Sequence, residues 1–110
     1  MKKRRTGVSS GNVFADLGFE NAEEELTKAR LTAAIARAVQ ARRFKNQSEA
    51  AAVLGIDQPK VSKLLRGHFG EYSVGRLLTF LTRLGHDVKI EVADRAHMRR
   101  PGHLEVIDAA

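Results

Sequence analysis

Gln47 and Gln58 stand eleven positions apart, and the second opens a short polar strip that continues through Pro59, Ser62 and Lys63. A glutamine amide carries a donor and an acceptor side by side, the pair that can meet an adenine edge bidentately. Pro59 lacks a backbone donor but can press on a thymine methyl, while Ser62 and Lys63 fall one helical turn beyond Gln58 on a similar side. Lys60 and Arg66 flank the strip, and Arg43 and Lys45 precede it, all suited to phosphate oxygens. From Arg42 to Arg66 six cations face two anions, a local charge of +4 within a chain whose net charge is +6. This is the chemistry of hydrogen-bonded recognition of a polyanion.

Bond-making chemistry finds less support. Gly7-Val-Ser-Ser-Gly11 has the letters of a nucleophile elbow, yet no strand precedes it and no helix directly follows. His68, His86, His97 and His103 are scattered without a helical ligand spacing, and there is no Cys to join them, so neither a metal site nor a thiol nucleophile is expected. No Gly-rich run ends in Gly-Lys-Ser/Thr. The expectation is a protein that is not an enzyme, with no catalytic residues, cofactor or metal.

The polar strip needs elements to hold it. Asn46 with Glu49 forms a capping-box pattern that opens a short helix from Gln47 to Leu54, ended by Gly55. Asp57 caps a second helix, with Pro59 tolerated in its first turn, that runs through Val61, Leu64 and Leu65 to a stop at Gly67. Two helices crossing steeply require a small residue at the contact, a Gly for positive φ in the turn and apolar anchors. Ala51 supplies the first, Gly55 the second, and Ala50, Leu54, Ile56, Val61 and Leu64 the third.

Around this pair the periodicity predicts further helices. Asn21 and Glu24 give another capping-box pattern, followed by Leu31, Ile35, Ala38 and Val39 on one face and Leu26, Ala29, Ala33 and Ala36 on the opposite one. Ser73 caps a helix whose stripe is Val74, Leu77, Leu78, Leu81 and Leu84, ended by Gly85. After Gly85 the period falls to two: Val88, Ile90 and Val92 alternate with Lys89, Glu91 and Ala93, as in a half-buried strand. Such a strand needs a partner, either the same strand of a second copy or the stretch Leu104 to Ile107.

The stretch Gln47 to Arg66 resembles the helix-turn-helix of the Cro and phage-repressor-like (XRE-type) regulators, including the Gln at its first position. The wider chain, through NVFADLGFENAEEEL, SEAAAVLGIDQPKVSKLLRG and YSVGRLLTFLTRLGHDVKIEV in that order, is similar from about Asn12 to Val92 to the HigA-type antitoxins. The resemblance implies an all-α, lambda-repressor-like helical bundle, here with a short C-terminal β-strand used in dimerisation. It also implies that the second motif helix enters the major groove of double-stranded DNA. Gln58, Pro59, Ser62 and Lys63 are then the candidates for base edges. Gln47, Ser48, Lys60, Arg66, Arg43 and Lys45 are the candidates for phosphates, the first two at a helix N-terminus whose free N–H groups attract anions. Ala51, Gly55, Ile56, Val61 and Leu64 are the motif core, and Leu77, Leu81, Val88, Ile90 and Val92 the candidate dimer surface.

Length and composition agree with this reading. A chain of 110 residues, 43% hydrophobic and 29% charged, suits one compact domain. Residues 1–11, with four consecutive cations from Lys2 to Arg5, read as a flexible basic arm; residues 12–93 as the DNA-binding and dimerisation domain; and residues 94–110 as a basic flexible tail holding a possible short strand at 104–107. No apolar run approaches the length of a membrane span, so a cytoplasmic protein with no membrane partner is expected.

A single recognition helix reads few base pairs, which points to a homodimer on a near-palindromic operator. Two functions follow: an autoregulating repressor that is also the antitoxin of a toxin protein, with Val13 to Phe19 and the Ala stripe as toxin surface, or a stand-alone regulator with no toxin. A third reading, a packing module whose charge serves RNA or an acidic protein, lacks an aromatic platform, for the one Tyr and five Phe are not clustered.

Overall fold

Glu23, Glu24 and Glu25 crowd the first turn of the longest helix and Arg42 its last, matching both ends of the helix dipole. The computed structural model describes residues 21–94 and 102–108; the basic arm, the stretch Val13 to Phe19 and the cations Arg95, Arg99 and Arg100 lie outside the described residues. Within them the order is α1 (Ala22–Arg42), α2 (Gln47–Leu54), α3 (Gln58–Leu65) and α4 (Val74–Arg83).

Three of the four starts are capped as their sequences demand. Asn46 accepts from the Glu49 N–H at 3.1 Å, Asp57 from the Lys60 N–H at 2.9 Å and Ser73 from the Arg76 N–H at 3.0 Å. The return half of the box at α2 lands one residue early, since Glu49 Oε1 accepts from the Lys45 N–H at 2.7 Å rather than from the cap residue. Asn21 departs from expectation altogether: at φ −106° and ψ 53° it is not extended, and its side chain makes no capping hydrogen bond.

Leu31, Ile35 and Ala38 of α1 meet Leu77, Phe80 and Leu81 of α4, with Leu54, Val61 and Leu64 of the helix pair closing the core. Ile35, Leu54, Val61, Leu64, Leu77 and Phe80 are wholly buried. The apolar stripe expected on α4 is therefore spent inside one chain. Leu77, at 0% exposure, and Leu81, at 6%, cannot form a surface between two copies, because α1 already covers them.

The expected C-terminal strand is likewise absent among the described residues, which hold no strand at all. A strand requires a second backbone, and the segment that could have supplied one in this chain goes elsewhere. The Leu104 N–H donates to the Glu23 carboxylate at 2.9 Å, and Arg37 Nε donates to Asp108 at 3.0 Å, so residues 104–108 run along α1. Val88 and Val106 pack against the core, leaving Ile90 and Val92 77% and 93% exposed.

Candidate nucleic-acid interface

Ala51, Gly55, Val61 and Leu64 hold α2 and α3 at their angle. Ala51, 8% exposed, permits close approach, and its carbonyl accepts from the N–H groups of Gly55 at 2.8 Å and Ile56 at 3.3 Å. Gly55 stands at φ 77°, a left-handed conformation that costs a side-chain-bearing residue about 1 kcal/mol. Val61 and Leu64 then anchor α3 from beneath, so its other side must face outward.

That outer side carries the polar strip. Gln58, Pro59, Lys60 and Lys63 are exposed and Ser62 is half-buried. Ser48, at the start of α2, donates its hydroxyl to Gln58 Oε1 at 3.0 Å. The bond ties the two helix starts together and directs the Gln58 amide: its N–H donors stay free, and its oxygen keeps one lone pair for a second donor. Ser48 is thus placed on Gln58 rather than standing alone at a helix end, a contact that sequence spacing could have suggested but did not require.

The cations lie along α3, at its end and just before α2. Lys60 and Lys63 are brought together beside the loop after α3, where they line a shallow hollow with His68, Gly70 and Glu71. Arg66 is exposed at the C-cap of α3, Arg43 and Lys45 are exposed just before α2, and Gln47 is half-buried in its first turn. No compensating salt bridge to any of these cations is found among the described residues, so their field points to solvent.

Behind the strip lies a cluster that sequence reasoning passed over. Tyr72 packs edge-on against Phe80, with centroids 5.3 Å apart, and the Arg76 guanidinium lies over the same Phe80 ring at 4.9 Å. Burial, with the Glu71 carboxylate adding to it, raises the Tyr72 phenol above its ordinary value of 10.0. The Tyr72 hydroxyl is buried within reach of the Glu71 carboxylate but without a well-formed hydrogen bond, and that of Thr32 is buried without a partner among the described residues.

A family of helix-turn-helix domains matches residues 13–93 of this sequence. A solved structure described as that of an XRE-family transcriptional regulator is 39% identical, covering 81% of this chain and 99% of its own, with a TM-score of 0.73. The chain belongs to the XRE-type helix-turn-helix family. No curated protein matches it. In this XRE-type chain the motif is α2, the Gly55 turn and α3, and no described helix is long and apolar enough to cross a membrane.

Proposed function

We propose that this DNA-binding transcription regulator is a sequence-specific repressor that binds a near-palindromic operator as a homodimer. The observation that carries the reading is the Gln58 amide, held by Ser48 at the exposed start of α3, the helix that also exposes Lys60 and Lys63 and ends at Arg66. A fixed amide between cations separates two tasks: the amide reads a base edge, and the charges hold phosphates by displacing counterions. Gln58, Pro59, Ser62 and Lys63 read bases in this scheme. Gln47, Ser48, Lys60, Arg66, Arg43 and Lys45 hold the backbone, Ser48 through its first-turn backbone N–H, since its hydroxyl proton is already given to Gln58.

Selection of duplexes from a random pool, followed by titration at several salt concentrations, tests it. Gln58→Ala should cost about 1–3 kcal/mol on the selected duplex and little on a random one. Lys60→Ala should weaken both alike and lower the salt slope by about one. Equal losses on both duplexes for both variants would overturn the division of roles.

The similarity to HigA-type antitoxins supports a second task for the same chain, the neutralisation of a toxin whose operon it represses. The small-residue stripe of α1 suits that contact, with Ala33 exposed and Ala29 and Ala36 half-buried. Co-expression with the product of an adjacent gene that arrests growth should restore growth even with Gln58→Ala in place. Failure to restore it leaves the stand-alone repressor.

A further inference from the structure

The turn that aims α3 is gripped from behind by an arginine of another helix. Arg83, in the last turn of α4, donates from Nη1 to the Leu54 carbonyl at 2.9 Å, taking up a carbonyl left open at the end of α2. Its guanidinium occupies the space over Gly55: a Cβ added there would fall on Nη1. Gly55 is required for its φ of 77°, and a side chain there would in addition push the Arg83 guanidinium off the turn.

The same device appears a second time, away from the motif. Arg42 Nε donates to the Leu84 carbonyl at 2.7 Å at the end of α4, and a Cβ on Gly85, at φ 87°, would fall on Arg42 Nη2. The arginines form a chain: α1 holds the end of α4 through Arg42, and α4 holds the end of α2 through Arg83. Only the second link touches the turn between the motif helices.

We infer that Arg83 is a positioning residue for base reading: by tying the Leu54–Gly55 turn to α4, it sets the direction in which α3 presents Gln58. The physical reason lies in the difference between the two kinds of DNA contact. Long Lys and Arg side chains on phosphates tolerate a helix that swings by an ångström, whereas a short amide on a base edge does not. Loss of the Arg83 bond should thus reduce discrimination between sequences more than it reduces affinity for DNA in general. The inference rests on α3 being the base-reading helix.

Arg42 supplies a matched control, with the same bond type and the same change of charge on the opposite side of the linkage. The experiment compares wild type, Arg83→Ala, Arg42→Ala and Arg83→Lys by urea denaturation and by affinity for a duplex selected from a random pool and for a random duplex of equal length. Arg83→Ala should lower the ratio of the two affinities about tenfold, the scale of one misplaced base contact. Arg42→Ala, at comparable loss of stability, should leave the ratio within about twofold, and Arg83→Lys, which keeps a donor for the carbonyl, should recover part of it.

Should Arg83→Ala fold poorly, Arg83→Gln, which keeps most of the side chain and an N–H donor, takes its place in every comparison, and Gly55→Ala displaces the guanidinium from the other side. The two changes combined should then lower the ratio no further than Gly55→Ala does alone. Equal effects of Arg83→Ala and Arg42→Ala on the ratio, or additive effects of Arg83→Ala and Gly55→Ala, would overturn the assignment. If the wild-type chain selects no sequence at all, the base-reading role of α3 falls and this inference with it.

Discussion

At the scale of single residues the molecule divides its polar groups between those that face outward and those that are shut in. Gln58 is the outward case, its amide steadied by Ser48. Tyr72 is the inward case: its hydroxyl is buried close to the Glu71 carboxylate with no well-formed hydrogen bond to it, and burial, with that carboxylate adding to it, holds its pKa above 10.0. The sign follows directly. The neutral phenol is favoured by the fold, so its share of stability is complete below about pH 10 and is lost as pH rises through the higher folded value. Tyr72→Phe should remove that alkaline loss. It should also leave stability at pH 7 unchanged or slightly raised, because an unpaired buried hydroxyl costs about 1–3 kcal/mol to desolvate. Urea denaturation at pH 7 and pH 10.5 checks both, and a clear loss at pH 7 would mean that the hydroxyl has a partner after all. The polar strip was legible from residue type and spacing alone. The Tyr72, Phe80 and Arg76 cluster follows a spacing of four along the chain and was legible in part: Arg76 and Phe80 share a face of α4, whereas the turn of Tyr72 back onto Phe80 lies before the helix cap, where no local signal marks it.

At the scale of elements the sequence declares its helices through caps and glycines, because those signals act over three or four residues and owe little to tertiary context. Asn46, Asp57 and Ser73 each meet the N–H their position predicts, and Gly55 takes the left-handed turn. Where the signal depends on what surrounds it, local reading fails. Asn21 and Glu24 have the letters of a capping box, but the backbone at Asn21 is not extended, so the side chain does not reach back. Leu77 and Leu81 form a real stripe, yet a stripe alone does not say whether α1 or a second copy covers it. The arginine links from α1 to α4 and from α4 to α2 were invisible for the same reason. Arg42 and Arg83 look like ordinary last-turn cations favourable to the helix dipole, and only the folded chain shows each one seated on a glycine of another helix. Two short helices of eight residues each gain little stability by themselves, so the angle between them depends on such borrowed contacts.

At the scale of the whole molecule the unspent apolar surface indicates how two copies would meet. The helical body exposes one large aliphatic, Val53 at 36%, whereas the C-terminal segments leave Ile90 at 77%, Val92 at 93% and Ile107 at 80%. Residues 88–92 have an alternating pattern and no backbone partner among the described residues, and their sequence is compatible with a two-fold axis in the proposed homodimer. In an antiparallel pair centred on Ile90, Val88 lies across from Val92 of the second copy, and Lys89 lies across from Glu91 of the second copy, so apolar meets apolar and each cation meets an anion. The period-two signal was readable in the sequence, but among the described residues it forms no strand. If the proposed homodimer meets through this segment, replacing Ile90 and Val92 together by Asp converts it to a monomer in sedimentation equilibrium at micromolar concentration. The unfolding transition of the helical body should barely move, because neither side chain is part of the core. Affinity for a two-half-site operator should fall on the order of 100-fold, because linking two reading heads makes the second contact intramolecular, while a single half-site is bound as before. A double variant that remains dimeric would place the interface elsewhere on the helical body, and equal losses on one and two half-sites would show that the segment acts on the reading head and not on assembly.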